Sequence, residues 1–309
     1  MIAEAPIREV KSDAWSEWLQ HRRHGRDSQF KPQILAIVER IRDRVLDAAQ
    51  ITPGMQMLDV GAGDGLIAFG ALDRVGPFLH VILADISEPL LNAAKERAAK
   101  RGYLEQCEFV LTPAERLEGV ADNSCDVLTT RSSLAYVADK AAALRQFHRV
   151  LKPGGRISMA EPIFQDDAVH LAALTQFLAS QPVDDAKTAH MRLLQRTKAA
   201  QLPSTRDEIL KNPLTNFSER DLLNLCQQAG FEGMHLELHI DVRKREPSSW
   251  DAFIDTAQRP NVPTLREIFA GQFSEQETRM FETNLRPLVE VGGMVERDAM
   301  AYLVATKPL

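Results

Sequence analysis

The chain has 309 residues, of which 44% are hydrophobic and 26% charged, a balance that excludes a mainly disordered protein. Lysine and arginine number 37 against 43 aspartates and glutamates, and the resulting charge of −6 argues against a nucleic-acid or anionic-membrane surface. Aromatic residues make up only 6%, which disfavours a site built on stacked rings. We predict reduced thiols and no metal site, because the three cysteines are far apart and lack metal-ligand spacing.

The N-terminal region, residues 1–50, is predicted to form a helical cap. Apolar residues recur at spacings of three and four over residues 10–50, with a polar break at residues 21–27. The first residues lack the basic and apolar regions of a signal peptide, and no apolar run is long enough to span a membrane. The sequence therefore predicts a cytoplasmic protein with no membrane association.

Strands and helices alternate from residue 55 onward. Helices are predicted over 66–74, 89–100 and 140–150, and strands over 55–60, 79–84, 107–111, 125–130 and 156–160. Strands separated by helices of this length predict right-handed crossovers and a parallel sheet covered on both faces.

Two helical blocks interrupt this alternation in the second half of the chain. They cover residues 164–211 and 248–291, and strands at 234–242 and 299–306 follow them in turn. Because the blocks interrupt the sheet pattern, we interpret them as a lid on the carboxyl edge of the sheet.

A glycine turn follows the first predicted strand and opens a helix. Glycines at 61, 63 and 65 permit close approach of a ligand to the backbone, which a β-carbon would block. Leu66 occupies the third glycine position of a dinucleotide fingerprint, and no Gly-Lys-Ser/Thr is present for a phosphate loop. Asp85 ends the second strand, where a carboxylate can accept hydrogen bonds from both ribose hydroxyls of a nucleoside or, alternatively, cap the next helix.

With these features the chain resembles the class I S-adenosyl-L-methionine (SAM) methyltransferases, particularly the small-molecule branch. Residues 58–65 match the first motif of that family, Asp85 its ribose-binding acid and residues 112–115 its adenine-edge segment. Residues 129–132 lie where its fourth strand reaches the methyl group, and residues 151–155 match the turn before its fifth strand.

The resemblance implies a doubly wound α/β fold, a Rossmann-like, mainly parallel sheet of seven strands with N-terminal helices and an inserted helical lid. The SAM-binding core would comprise residues 51–162, 217–242 and 298–309, and the lid and substrate region residues 163–216 and 243–297. SAM would be converted to S-adenosyl-L-homocysteine (SAH), without a metal. The residues implied to bind SAM are Asp59, Gly61, Gly63, Asp85, Ile86, Ala114, Glu115 and Arg131, the last through its carbonyl.

The polar break in the N-terminal region is either a solvated helix end or part of the site. In the second interpretation, Arg22, Arg23 and Arg26 bind a carboxylate of SAM or of the acceptor, because guanidinium groups pair with carboxylates through two parallel hydrogen bonds. His24 would accept a proton if one must leave.

Three residues outside this segment complete the predicted site. Arg131 and Tyr136 join His24 as candidate catalytic residues, and Glu161 is a candidate substrate ligand; for Tyr136 and Glu161 a purely structural hydrogen bond is the alternative. The turn at 130–133 lacks the Asn/Asp-Pro-Pro-Tyr/Phe motif common in nucleic-acid and protein amide methyltransferases.

The predicted function is methyl transfer from SAM to a small-molecule acceptor by in-line displacement. A compact carboxylate-bearing metabolite such as an amino acid, methylated on nitrogen or sulfur, is the predicted acceptor. The alternative is a SAM- or nucleoside-binding regulatory or assembly protein without catalysis. No nucleic-acid partner is expected, and the sequence leaves a homodimer open.

Overall fold

The computed structural model describes residues 11–25, 31–182 and 186–309. The strands are β1 Gln56–Val60, β2 His80–Asp85, β3 Cys107–Leu111, β4 Cys125–Arg131, β5 Leu151–Pro162, β6 Glu232–Lys244 and β7 Val295–Thr306. The helices are α1 Ala14–Gln20, α2 Lys31–Ala49, α3 Leu66–Val75, α4 Glu88–Arg101, α5 Lys140–Val150, α6 Gln165–Ala179, α7 Ala186–Ala199, α8 Arg206–Lys211, α9 Glu219–Gln228, α10 Trp250–Asp255, α11 Leu265–Gln272 and α12 Glu275–Glu290. Short 3-10 turns cover Arg22–His24, Leu104–Gln106 and Leu134–Tyr136.

The strands form one seven-stranded sheet in the order β3-β2-β1-β4-β5-β7-β6. Pairs among β1 to β5 are parallel, whereas β7 is antiparallel to both β5 and β6. The predicted doubly wound, mainly parallel sheet is therefore confirmed. Strand order reverses between β1 and β4, and ligands of open α/β sheets bind at the carboxyl ends of the strands beside such a reversal.

Each face of the sheet carries its own apolar core, because successive side chains of a strand point to opposite faces. Leu58 packs in a core with Leu144 and Phe147 of α5, whereas its neighbour Met57 packs with Leu46 of α2 and with residues of α3 and α4. Both strand residues are fully buried. The continuous apolar run of β2, residues 81–84, likewise follows from coverage on both faces.

Three strands are longer than the sequence predicted. β5 begins at Leu151 rather than at residue 156, because Leu151 pairs with Cys125 before an irregularity shifts the register. β6 and β7 extend to the pair Lys244 and Val295, beyond the predicted limits of 242 and 299. Polar residues at these ends carry no alternating apolar signal.

The two helical blocks share a separate apolar core. Leu193 of α7 packs with Trp250 and Phe253 of α10 and with Phe269 and Phe281 of the last two helices. The residues that the chain contributes before and after β6 thus form one helical unit, as opposed to two independent insertions. In the part of the chain that the structure describes, no helix combines the length and apolarity needed to cross a membrane.

Helix α1 is fixed at both ends. Asp13 and Ser16 form a capping box, with the Asp13 carboxylate accepting from the Ser16 amide at 2.8 Å. Near the end of α1, the Trp18 indole donates to the Ala257 carbonyl at 2.8 Å, and just after the helix the Arg22 carbonyl accepts from the Ala257 amide at 2.9 Å. The N-terminal segment is therefore joined to the second helical block above the sheet edge.

Candidate active site

The glycine turn after β1 has a left-handed backbone, and at Gly61 it leaves no space for a side chain. Gly61 has a φ of +69° and Gly63 a φ of +55°. A β-carbon on Gly61 would lie 2.1 Å from Ser133 Oγ, whereas one on Gly63 would meet only Leu19, at 3.5 Å. The Gly61 amide donates to the Ala84 carbonyl of β2 at 2.8 Å, which fixes the turn against the sheet.

Asp85 connects the ends of the first two strands. Its Oδ2 accepts from the Gly63 amide and its Oδ1 from the Ser87 amide, both at 2.8 Å. The residue is 8% exposed, and burial raises the pKa of the carboxyl above its ordinary value. A carboxylate has about four acceptor positions, so these two bonds leave lone pairs for ligand hydroxyls.

Asp59 lies below the glycine turn and not on the cavity wall. Thr129 Oγ1 donates to its Oδ1 at 2.9 Å, and its buried Oδ2 has no hydrogen-bond partner among the described residues. Burial raises the pKa of Asp59 to about 7, against the opposing effects of the Thr129 hydrogen bond and the Arg131 charge. An unpartnered buried carboxylate oxygen beside the turn fits a cationic group reached through water.

A cavity of about 1850 Å³ opens over this edge of the sheet. Ile86, Ala114 and Glu115 line it, as the resemblance implied for an adenine contact, and Ile86 is 53% exposed. Both helical blocks, the N-terminal helices and the ends of several strands contribute to the other walls. Since small-molecule pockets are usually about 300–1,000 Å³, this volume has room for a cofactor and an acceptor together.

Two neighbouring arginines of the N-terminal segment have different surroundings. Arg22 forms an ion pair with Glu267 at 2.6 Å and does not line the cavity, so the structure does not bring it to the predicted substrate site. Arg23 lines the cavity, with its guanidinium 5.3 Å from the centre of the Trp18 ring. Arg26, the third predicted arginine, lies outside the described residues.

His24 also lines the cavity and has one ring nitrogen available. Its Nε2 lies 3.0 Å from the Gln20 carbonyl, which can only accept, so Nε2 carries the hydrogen. In the neutral ring Nδ1 then has a free lone pair, and this buried atom has no partner among the described residues. The geometry suits a proton acceptor.

Arg131 and Tyr136 face the cavity from the end of β4 and the 3-10 turn after it. Burial lowers the pKa of Arg131 and raises that of Tyr136 to about 12. Burial and then the charge of Arg131 lower the pKa of Arg23 to about 10. The phenol is therefore neutral and the arginines charged at physiological pH.

Glu161 has a structural environment rather than a position on the cavity wall. It is fully buried, and its carboxylate accepts from the amides of Ser133, Leu134 and Ala135 at 3.0–3.3 Å. These amides open the 3-10 turn that carries Tyr136. Its contacts therefore give Glu161 a positioning role and do not place it at the predicted substrate site.

The low aromatic content of the chain proved a poor guide to the site. Trp15, Trp18 and Tyr136 line the cavity, and the Trp15 and Tyr136 rings meet edge-on with centroids 5.0 Å apart. Sequence reasoning also missed Arg259, which is 4% exposed and lines the cavity from the second helical block. It lies between helices outside any periodic pattern, so no motif singled it out.

These features define a class of protein: a Rossmann-like sheet with a glycine turn after the first strand and a carboxylate at the end of the second binds a nucleoside-containing cofactor. A family model described as a methyltransferase domain matches residues 51–229, more than half of the chain. The chain therefore belongs to this methyltransferase family, and the recognition made from its motifs is confirmed.

Characterised relatives match over part of their length. The ubiquinone/menaquinone biosynthesis C-methyltransferase UbiE of Idiomarina loihiensis is 37% identical over 116 residues, which are 38% of this chain and 46% of that protein. The nocamycin O-methyltransferase of Saccharothrix syringae is 38% identical over 125 residues, 39% of this chain and 42% of that protein. The chain thus spans less than half the length of these relatives.

Solved structures agree with the fold over most of the chain. The match to the YcgJ protein of Bacillus subtilis covers 87% of this chain and 98% of that protein, at 17% identity and a TM-score of 0.50. A Bacillus halodurans protein described as a proposed methyltransferase covers 87% and 99%, at 20% identity and a TM-score of 0.50. At these identities the likeness extends to the fold alone.

Proposed function

We propose that this protein binds SAM at the glycine turn and transfers its methyl group to a small-molecule acceptor held under the helical blocks. The observation that carries the proposal is the hydrogen bond between Asp85 and the glycine turn, in which the Asp85 carboxylate accepts from the Gly63 amide at 2.8 Å. This bond aligns the ribose-binding acid with the glycine backbone, so that one ligand contacts both. Membership of the methyltransferase family supports the choice of SAM.

Each part of SAM has a candidate partner in the cavity. We assign the ribose to Asp85, the adenine to Ile86, Ala114 and Glu115, and the methionine portion to the backbone of the glycine turn. Asp59 lies below the turn with an unpartnered carboxylate oxygen, and we assign it to the ammonium through water. When bound, SAM supplies a methyl group already activated by a sulfonium.

The protein therefore has to position the acceptor, exclude water from the site and, for some acceptors, accept a proton. The helical blocks and the N-terminal segment enclose the cavity, and exclusion of water strengthens the electrostatic contacts inside it. Alignment of the acceptor with the methyl carbon and sulfur supplies most of the rate gain that such sites provide. For an acceptor that must lose a proton, we propose His24 Nδ1 as the base, because its lone pair faces no protein partner among the described residues.

We infer that the acceptor carries a carboxylate. Arg23 and Arg131 lie near Asp64 of the glycine turn, where they suit the carboxylate of SAM, and further cations line the other side of the cavity. The cavity volume admits an acceptor larger than an amino acid, so the inference depends on charge and not on size. The carbon and oxygen acceptors implied by the names of the relatives remain outcomes of the experiment.

Transfer of tritium from methyl-labelled SAM into a pool of small metabolites tests the proposal directly. We expect labelled product with the parent protein and none with Gly61→Val, whose side chain would collide with Ser133. Gly271→Ala is the matched control, because a β-carbon there meets nothing within 4 Å. No SAM binding by calorimetry would refute the cofactor assignment; tight binding without transfer to any pool would favour the non-catalytic alternative.

A further inference from the structure

Arg259 is a buried cation with unused hydrogen-bond donors. It is 4% exposed, lines the cavity and donates from Nη2 to the Gln201 carbonyl at 2.6 Å. The Phe164 ring covers its guanidinium at 4.9 Å. Within the described residues, Nε has no hydrogen-bond partner and no carboxylate oxygen comes within 4.0 Å of the group. A buried guanidinium without a counter-ion is costly unless a ligand supplies one.

Arg259 belongs to a different side of the cavity from the other arginines. Arg23 and Arg131 are both influenced by the charge of Asp64, next to the glycine turn. Arg259 is influenced instead by Asp167 at the start of α6 and by Tyr136. The cavity therefore has cationic groups near the glycine turn and a further one beside Phe164, at the start of α6.

The charge of Asp167 does not neutralise Arg259. Asp167 is also influenced by Lys198, Arg297 and His170, and Lys198 and Arg297 line the same cavity. The charge of Asp167 is thus shared among several groups and is not paired with Arg259 alone.

Tyr136 lies between the two sides. Its electrostatic environment includes Arg23, Arg131 and Arg259, so the phenol is within the influence of every arginine in question. The T-shaped contact with Trp15 and the turn held by Glu161 fix the ring. A neutral phenol in this position can donate a hydrogen bond to an anion beside Arg259.

We propose that Arg259, assisted by the Tyr136 hydroxyl, binds the carboxylate of the methyl acceptor and so determines which compounds are methylated. This inference rests on the proposed function, since it presumes that the cofactor fills the opposite side. A single guanidinium with a neutral phenol matches the single charge of a carboxylate. A phosphate monoester carries nearly two charges at neutral pH and requires more cationic donors.

The test compares small monocarboxylic acids with their methyl esters and with matched phosphate monoesters, by saturation-transfer NMR and calorimetry on the full chain saturated with SAH. We expect the acids to bind at least tenfold more tightly than the esters. Arg259→Gln should weaken acid binding at least tenfold and leave the SAH dissociation constant within twofold. Tyr136→Phe should weaken acid binding about threefold to tenfold.

Arg266→Gln is the matched control, because Arg266 lies in the same helical block and pairs with Asp251 and Asp255 on the surface. It should change neither ligand. Arg259→Lys keeps the charge and provides a second variant if Arg259→Gln does not fold. The lysine variant should bind acids more tightly than Arg259→Gln and less tightly than the parent, and the comparison with the parent alone tests the inference if Arg259→Gln is unfolded.

Equal binding of acids and esters, or unchanged acid binding in Arg259→Gln, would overturn the inference. Preferential binding of phosphate monoesters would overturn it in favour of a different anion. If Arg259→Gln weakened SAH as much as the acids, Arg259 would belong to the cofactor site. The acid–ester comparison is also made without SAH. If the protein does not bind SAH but still prefers the acids, the proposed function is refuted and the assignment of Arg259 to a carboxylate is not.

Discussion

The two sides of the cavity are constructed differently. The cofactor side uses backbone amides and short side chains at the ends of parallel strands, with the Gly63 amide bonded to the Asp85 carboxylate. The side that we propose for the acceptor uses long side chains from helices and connecting loops, among them Arg259 and Phe164. Backbone groups of the sheet have little freedom to change, whereas side chains on inserted helices are replaced without disturbing it. This division lets one fold serve many acceptors.

The comparison predicts the largest effect where a side chain is added to the glycine turn. Gly61→Val should reduce SAM affinity more than 100-fold, because its Cβ would stand 2.1 Å from Ser133 Oγ and a β-branched residue is strained at a φ of +69°. Calorimetry with SAM measures the effect, and circular dichroism verifies the fold. Gly271→Ala should bind like the parent. Normal affinity in a folded Gly61→Val protein would show that the turn does not contact the cofactor.

Removal of the Asp85 charge should have the next largest effect on SAM affinity. In Asp85→Asn an amide nitrogen faces either the Gly63 or the Ser87 amide, so one buried donor loses its acceptor. We expect SAM binding to weaken by about 1–3 kcal/mol, measured by calorimetry. Asp47→Asn is the control, because Asp47 is exposed and forms an ion pair with Arg74 on the surface. Equal SAM affinities of the two variants would show that Asp85 does not bind the ribose.

Asp59 makes the cofactor side sensitive to pH. Its folded pKa of about 7 lies above the ordinary 3.8, so the empty protein holds a proton here that the unfolded chain releases. Asp59 therefore lowers the stability of the cofactor-free protein progressively as the pH rises from about 4 to about 7. A bound ammonium favours the ionised form, so SAM binding should release a proton below pH 7.

Accordingly, SAM affinity should increase about tenfold from pH 6 to pH 8 and change little above. Titrations in buffers of different ionisation enthalpy would detect the released proton. Asp59→Asn should abolish the dependence, which distinguishes Asp59 from Asp85, whose pKa burial also raises. The same pH profile in parent and variant would assign the proton to another group.

The sequence predicted the structural elements around the glycine turn well for physical reasons. Strand alternation, the glycine turn and the acid of β2 are local patterns, because each reflects backbone geometry within a few residues. The mainly parallel sheet of seven strands followed from the family resemblance and agrees with the structure. The largest errors are at the ends of β5, β6 and β7, where pairing between polar segments leaves no periodic signal.

The acceptor side was less predictable, because its residues meet only through tertiary contacts. Arg22 and Arg23 are adjacent in sequence and chemically identical, yet one faces Glu267 and the other the cavity. For Glu161 the sequence left a substrate contact and a structural hydrogen bond open, and the structure shows its buried carboxylate bound by backbone amides. Arg259 reaches the cavity from a loop that lies more than 200 residues after Arg23 in the sequence, and no pattern of spacing encodes that contact.

The adjacent arginines also provide the prediction with the smallest expected effect. Arg22→Gln should change the free energy of unfolding by about 0–1 kcal/mol, because its ion pair with Glu267 is partly exposed. Glu267 keeps its capping contact with the Thr264 amide, at 2.7 Å, so α11 should not unravel. Turnover should stay within twofold of the parent, whereas Arg23→Gln should lose more, because its guanidinium faces the cavity. Urea unfolding and steady-state kinetics measure the two quantities. Equal losses of turnover in both variants would mean that the N-terminal segment acts as one unit and that the position of each arginine is irrelevant.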